Sequence, residues 1–219
     1  MNKAVVLLNM GGARSKDELR LFLTNMFNDP NILTMKNKYL RAFVAKMIVT
    51  FRTDKAWKNY EEIGGETPLH DLTDELVSKL SSKIDNTYVT CAMRYTPKFA
   101  KTAIEEIKNK GIKDVILVPL YPQFSTTTTK SSIDDFKAFC GEGFNIKTVK
   151  PFYKDELYNE AICDEVLKQR GGEEEYHLIF SAHGLPQKIV DGGDPYQKQL
   201  EIQMGILKEK LQGKFRSIS

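Results

Sequence analysis

The chain has 219 residues, 41% of them hydrophobic and 28% charged, an ordinary composition for a soluble globular protein with room for one large domain or two small ones. Its formal net charge of +3 and the absence of a long Lys/Arg tract argue against nucleic acid as a partner. The apolar run at residues 4–8 is too short for a signal peptide, and no window reaches the roughly 18 apolar residues of a membrane span.

The cysteines Cys91, Cys140 and Cys163 are scattered along the chain without C-x-x-C spacing. This spacing argues against a zinc or iron–sulfur site bound by cysteine alone. Unpaired, scattered cysteines are typical of reduced thiols in the cytoplasm, and we therefore expect a cytoplasmic protein.

Short β-branched runs alternate with helical patterns, which predicts an α/β fold with a parallel, helix-covered sheet. The predicted strands are residues 5–8, 88–91, 115–119, 146–149, 177–181 and 215–219. Three residue pairs have the spacing of helix starts: Ser15 with Glu18, Thr96 with Pro97, and Asp194 with Pro195. The polar stretch 141–145 and the charged run 150–156 mark the predicted junction between a domain at 1–148 and a second at 149–219.

Four unusual motifs follow predicted strands. They are N-M-G-G at 9–12, M-R-Y at 93–95, Y-P-Q-F-S at 121–125 and S-A-H-G-L-P at 181–186. Because the carboxyl ends of parallel strands meet at one edge of a sheet, we expect the motifs to share a crevice. Taken singly, N-M-G-G also fits a plain strand–helix turn, and the hydroxyl-rich loop after Tyr121 also fits a helix cap. N-M-G-G lacks G-x-G-x-x-G spacing, so nucleotide binding is not expected.

His183 is the first candidate for chemistry, because imidazole handles both protons and divalent metals near neutral pH. The alternative is a histidine that only caps a strand end. A hydrolase built on Ser181 and His183 is disfavoured, since no G-x-S-x-G elbow is present. His70 and His177 are interpreted as structural, the first in the opening turn of a helix and the second at the start of a buried strand.

A second group of candidates consists of Arg52, Tyr60 and Thr67, the last within G-G-E-T-P-L at 64–69. These side chains can donate hydrogen bonds to a carboxylate, and arginine can do so bidentately. The alternative is a surface charge beside a turn. The segment 36–57 has apolar residues at helical spacing with basic residues among them, which fits either a core-packed helix or a basic amphipathic surface that touches an anionic membrane.

The motifs together resemble those of the ferrochelatases, enzymes that insert ferrous iron into a porphyrin. L-L-N-M-G-G-A is similar to the family's L-N-x-G-G-P, and R-T, Tyr60 and G-G-E-T-P-L are similar to R-T…Y…G-G-x-S-P-[LI], with Thr67 in place of Ser. The resemblance runs from Val5 to the final residues. It also includes M-R-Y, P-L-Y-P-Q-F-S, and S-A-H-G-L-P followed by G-D-P-Y.

The resemblance implies two similar Rossmann-like, chelatase-type α/β domains with porphyrin in the cleft between them. It implies Fe²⁺ as a substrate and no organic cofactor. His183 would act in catalysis and in iron handling. The residues implied to contact porphyrin are Met10, Arg52, Tyr60, Thr67, Arg94, Tyr95, Tyr121 and Ser125.

Three further expectations depend on the resemblance. Met10, where coproporphyrin-type relatives tend to carry Tyr, favours protoporphyrin IX as the substrate. Family position places 36–57 as a lip over the active site, with peripheral membrane contact as the alternative to a core-packed helix. The chain stops before the segment that carries the family's H-x-E-T-L glutamate, so we expect an incomplete second domain. The alternative to a chelatase is then a non-catalytic porphyrin- or haem-binding remnant.

Overall fold

The computed structural model describes residues 1–170 and 176–219, which form two compact units. The first unit comprises Met1–Leu120 and Thr126–Val149. The second comprises Tyr121–Ser125 and the described part of Lys150–Ser219. The Y-P-Q-F-S motif is therefore grouped with the second unit, although the residues before and after it belong to the first.

The first unit is built on a four-stranded parallel sheet, which confirms the predicted fold class. Its strands are β1 (Lys3–Asn9), β2 (Thr87–Met93), β3 (Asp114–Pro119) and β4 (Asn145–Thr148), in the order β2-β1-β3-β4. β1 is central and is apolar on both faces because helices cover both sides. Ala4, Val6 and Leu8 pack on one side, and Val5 and Leu7 pack on the other.

The helices of this unit follow in chain order. They are α1 (Lys16–Asn28), α2 (Lys38–Glu62), α3 (Leu69–Ser81), α4 (Ala100–Asn109) and α5 (Ser131–Cys140), the last preceded directly by a π-helical turn at Thr126–Lys130. Ser15 caps α1 as predicted, since its hydroxyl accepts a hydrogen bond from the Glu18 N–H at 3.2 Å.

The predicted helix start at Thr96 and Pro97 is wrong, because α4 begins at Ala100. Tertiary contacts hold the preceding segment in a loop. The Met93 N–H donates to the Lys98 carbonyl at 2.9 Å, and Lys98 adopts a left-handed conformation with φ of 72°. Thr96 is fully buried, so its side chain belongs to the interior and not to a helix cap.

Helix α2 packs against α1 through a narrow face that contains Ala45 and Val49. Its larger apolar side chains point away from that contact. Tyr39 is 76% exposed, Phe43 63%, Met47 45% and Phe51 74%. The interpretation of 36–57 as a core-packed helix with a solvated face holds for Ala45 and Val49, but the apolar stripe is uncovered in the described structure.

The second unit contains three helices and a pair of short parallel strands. These elements are α6 (Glu156–Gln169), β5 (His177–Leu178), α7 (Gln187–Asp191), α8 (Tyr196–Lys210) and β6 (Ser217–Ile218). α6 and α8 pack together around Cys163, Leu207 and Leu211. The predicted start of α8 is confirmed to within one residue, and the Asp194 carboxylate accepts a hydrogen bond from the Tyr196 N–H at 3.0 Å.

The predicted strand at 177–181 is wrong in its length and burial. β5 ends at Leu178, and the ladder extends only to the bond from the Phe180 N–H to the Ser219 carbonyl. With β6 as its one neighbour among the described residues, β5 has too few partners to bury its side chains. His177 is exposed, and its Nδ1 lies 2.6 Å from the Ser217 hydroxyl. No helix in the described parts of the chain is long and apolar enough to cross a membrane.

Candidate functional site

The N-M-G-G and M-R-Y motifs meet at the carboxyl edge of the first unit's sheet. The Arg94 N–H donates to the Asn9 carbonyl at 2.8 Å, and the Tyr95 N–H donates to the Met10 carbonyl at 3.0 Å. Met10 is half-buried, and its own N–H donates to the Asn9 side chain at 2.8 Å. The structure therefore brings Met10, Arg94 and Tyr95 together through their backbones.

Gly11 and Gly12 let two further segments approach this edge closely. A Cβ built on Gly11 would overlap Thr96 Oγ1 and lie 3.2 Å from Thr96 Cβ, and Gly11 has a positive φ of 87°. A Cβ on Gly12 would overlap the methyl group of Thr67. The methyl of Thr67 therefore packs on Gly12, and the Thr67 N–H donates to the Ala13 carbonyl at 3.1 Å.

His70 is structural, as predicted, and lies buried in the first turn of α3. Its Nε2 is 2.8 Å from the Gly12 carbonyl and 3.3 Å from Thr96 Oγ1. The contact with a carbonyl requires that Nε2 carries the proton. His70 therefore fastens the start of α3 to the loop after β1.

Asp29, which the sequence reasoning missed, binds the side chains of both Arg94 and Tyr95. It follows α1 directly and is buried. Its Oδ2 accepts hydrogen bonds from Arg94 Nη2 at 3.0 Å, from the Tyr95 hydroxyl at 2.8 Å and from the Ser131 hydroxyl. Arg94 also donates to Ser131 Oγ at 2.9 Å and to Asp135 at 3.1 Å.

Electrostatics of this network keep Asp29 ionised. Burial pushes its pKa upward, but hydrogen bonds from Ser131 and the Asn31 N–H, with the charge of Arg94, outweigh burial and leave the pKa below its usual value. Burial raises the pKa of Asp135, with Arg94 opposing that rise, and burial also raises the pKa of the Tyr95 hydroxyl. Because the pKa of Asp29 is depressed, its stabilisation is present near neutral pH and is lost as the pH falls through the folded-state pKa.

Arg52 and Tyr60 lie on α2, two turns apart. Arg52 is exposed and forms no hydrogen bond or ion pair with any residue that the structure describes. Tyr60 is half-buried, its ring stacks on that of Trp57 with 6.0 Å between centroids, and its carbonyl accepts from the Gly65 N–H at 2.8 Å. Arg52 is thus a guanidinium with its donors open to a ligand.

In the second unit, the Y-P-Q-F-S segment is held by α8 and by Asp194, which lies just before that helix. Gln199 accepts a hydrogen bond from the Phe124 N–H at 2.7 Å, and Gln203 pairs with the Gln123 side chain. The Ser125 hydroxyl donates to Asp194 at 3.0 Å, and both of these residues are buried. Tyr121 is half-buried. Ser125 therefore serves at least in part to fix its own segment.

His183 lies in the exposed loop between Phe180 and α7. It follows β5 by five residues, so the prediction that His183 lies at the carboxyl end of a strand is wrong, both for a catalytic and for a strand-capping histidine. Its imidazole forms no hydrogen bond with the described residues. Nor do those residues contain a cluster of three or more His, Cys, Asp or Glu side chains that could hold a metal ion. The three thiols are buried and unpaired.

The first unit has the architecture of α/β proteins that bind a ligand at the carboxyl ends of parallel strands. The family model described as ferrochelatase matches residues 2–218. The chain belongs to the ferrochelatase family, and the resemblance seen in the motifs is confirmed.

Named relatives agree with the family match. The chain is 49% identical to a ferrochelatase of a Nitratiruptor species over 220 residues, which cover 96% of this chain and 71% of the relative. It is 46% identical to a ferrochelatase of Wolinella succinogenes, covering 97% and 69%, and 43% identical to one of Helicobacter pylori, covering 97% and 65%. These relatives are enzymes by name, so the prediction of an enzyme family is confirmed.

Proposed function

We propose that this chain acts in the reaction of its family, the insertion of Fe²⁺ into a porphyrin to form haem, with protoporphyrin IX as the favoured substrate. The observation that carries the proposal is the family match, which spans every residue predicted to act. The accessible guanidinium of Arg52 and the accessible imidazole of His183 support it, because both are available to a ligand.

The chemistry requires a proton acceptor and a means to bend the macrocycle. Metal insertion removes two pyrrole protons and adds one divalent cation, so the formal charge of the macrocycle core is unchanged. Both steps need nitrogen lone pairs directed out of the ring plane, and a protein that holds the ring bent lowers the barrier. In this proposal Met10 lies against the macrocycle, where a polarizable thioether suits a flat π-system. His183 accepts one pyrrole proton or passes iron to the ring, and the pyrrole protons that it does not accept leave to bulk water.

The test is anaerobic insertion of Fe²⁺ or Zn²⁺ by the purified chain, measured from the loss of free-porphyrin fluorescence. Protoporphyrin IX and coproporphyrin III are compared at equal concentrations, with metal but no protein as the blank. We expect turnover above the blank and a preference for protoporphyrin IX. Binding of porphyrin without turnover would favour the alternative of a non-catalytic porphyrin-binding protein.

Replacement of Arg52 by alanine is expected to weaken porphyrin binding by roughly tenfold or more, because a charge-assisted hydrogen bond contributes about 1.5–3 kcal/mol. Arg52→Lys keeps the charge without the fork of donors and is expected to fall between the parent and Arg52→Ala. The measurement is a titration of porphyrin fluorescence. Arg20→Ala, which removes an exposed arginine from α1, is the matched control. An unchanged affinity for Arg52→Ala would contradict propionate recognition by this residue.

The proposal includes peripheral membrane contact through the apolar stripe of α2, formed by Tyr39, Phe43, Met47 and Phe51. The segment 36–57 carries basic side chains at Lys36, Lys38, Arg41, Lys46, Arg52 and Lys55 against the single acidic side chain of Asp54. Exposed aromatic residues beside cations fit the surface of an anionic bilayer.

The membrane proposal predicts that the chain sediments with vesicles of phosphatidylglycerol and phosphatidylethanolamine. The double change Phe43→Ser and Phe51→Ser is expected to lower the partition coefficient at least tenfold, since burying one phenylalanine contributes about 1.5–3 kcal/mol. The control is Leu72→Ser with Leu157→Ser, which removes two exposed leucines from other helices. Equal losses in both double variants would show that the stripe is not the contact.

A further inference from the structure

Asp29 is a buried carboxylate whose hydrogen-bonding capacity is filled from within the first unit. Besides Arg94, Tyr95 and Ser131 on Oδ2, its Oδ1 accepts from the Asn31 N–H at 2.8 Å and from the Asn31 side-chain amide at 3.1 Å. A buried charge is costly unless it is paired and hydrogen-bonded. Because both oxygens of the Asp29 carboxylate accept several hydrogen bonds, the carboxylate is fixed in position.

The two residues that Asp29 holds by their side chains are those that hold the N-M-G-G loop by their backbones. Arg94 and Tyr95 donate their side-chain hydrogens to Asp29 and their backbone N–H groups to the carbonyls of Asn9 and Met10. Asp29 is thus connected to Met10 through Tyr95, although Asp29 and Met10 have no direct hydrogen bond.

The guanidinium of Arg94 is already occupied by protein groups. Its three nitrogens each donate to a protein oxygen, on Ser131, Asp135 and Asp29, and it lies 5.0 Å from the centroid of the Tyr95 ring. It lines a cleft of about 390 Å³ whose other walls include Leu21, Phe99 and Phe139, and Met10 is not among the lining residues. Because the carboxylates of Asp29 and Asp135 offset the charge of Arg94, this side chain has little net attraction for a porphyrin propionate.

We propose that Asp29 is a positioning residue for the porphyrin-facing loop, acting on Met10 through Arg94 and Tyr95. In this arrangement Arg94 and Tyr95 support the loop and do not themselves bind porphyrin. The inference rests on the proposed function, because the loop matters only if Met10 faces the macrocycle.

The first experiment measures backbone hydrogen exchange of Arg94 and Tyr95, whose amides hold the Asn9 and Met10 carbonyls. Asp29→Asn keeps the shape of the side chain but removes its charge, and it is expected to speed exchange of both amides at least tenfold. Asp134→Asn is the matched control. Asp134 lies on α5 beside Asp135, and its exposed carboxylate pairs with Lys130. Unchanged exchange in Asp29→Asn would overturn the proposal, whether or not the chain binds porphyrin.

The second experiment separates positioning from direct contact, using protoporphyrin IX as the probe. Asp29→Asn is expected to weaken binding by roughly fivefold and to shift the Soret band of bound porphyrin, because the loop that touches the ring has moved. Arg94→Gln and the double variant with Asp29→Asn are expected to weaken binding no further than the stronger single change, since both break the same pair. Additive losses, with the parent Soret position kept in Asp29→Asn, would show that Arg94 contacts porphyrin directly.

Failure of the inference and failure of the proposed function give different results. A parent chain that neither binds porphyrin nor inserts metal contradicts the proposed function, and the hydrogen-exchange result then still decides whether Asp29 positions the loop. A parent chain that binds porphyrin, with Asp29→Asn identical to it in affinity, spectrum and exchange, contradicts the inference alone.

Discussion

His183→Ala is expected to reduce metal insertion by about 10²–10⁴-fold, the range that general acid–base catalysis contributes. The physical reason is the loss of the imidazole of the S-A-H-G-L-P loop, which is exposed and forms no hydrogen bond with the described residues. The measurement is the initial rate of anaerobic Zn²⁺ or Fe²⁺ insertion at saturating porphyrin.

The fold should survive this change, because the side chain of His183 is exposed. Surface substitutions of this kind usually alter the free energy of unfolding by no more than about 0.5 kcal/mol. His177→Ala is the matched control, since that imidazole is also exposed but is engaged with Ser217. A His183→Ala rate within tenfold of the parent would remove this residue from the mechanism. Loss of folding together with activity would indicate a structural role instead.

Gly11→Ala is expected to destabilise the first unit by roughly 2–5 kcal/mol. The left-handed backbone costs an L-residue about 1–2 kcal/mol, and the overpacked contact costs about 1–3 kcal/mol. The added methyl would overlap Thr96 Oγ1, and Thr96 is fully buried. The measurement is the midpoint of urea unfolding with the slope held constant.

Gly111→Ala separates the two causes. Gly111 also has a positive φ, 67°, but a Cβ there would meet nothing within 4 Å. It is expected to cost only the backbone contribution, about 1–2 kcal/mol. If Gly11→Ala cost no more than Gly111→Ala, the close approach of Thr96 to the loop after β1 would be wrong.

The sheet of the first unit was predictable because its strands are short β-branched runs that alternate with helices. The four predicted strands lie within the observed bounds of β1 to β4, apart from Val149. The cap at Ser15 was predictable for the same local reason, since its partner Glu18 is three residues away. Signals that act within one turn or one strand are visible in the sequence.

Features that depend on distant residues were not visible. Asp29 sits in N-D-P, which predicts only the end of a helix, and its partners Arg94 and Ser131 are 65 and 102 residues away. The interpretation of Thr96 and Pro97 as a helix start was wrong for a similar reason. The backbone hydrogen bonds Met93–Lys98 and Tyr95–Met10 hold this segment in a loop, although its local sequence favours a helix.

The uncovered stripe of α2 shows a further limit. Periodicity identifies an apolar face on a helix but not the partner that covers it. The observed contact with α1 uses the small residue Ala45 and its neighbour Val49, while Phe43 and Phe51 lie outside it. For the predicted site residues, sequence reasoning found the motifs that meet at the sheet edge, but not the carboxylate that holds them there.

The strand order has a consequence for how the chain folds during its synthesis. β1, the central strand, pairs with β2 and β3, so that Lys3 lies opposite both Thr87 and Asp114. A ribosome that adds about 5–20 residues per second needs roughly 4–16 s to make the intervening chain before β2 exists at all. During that interval the apolar run at residues 4–8 has no strand to pair with, and an unpaired apolar strand can associate with other chains.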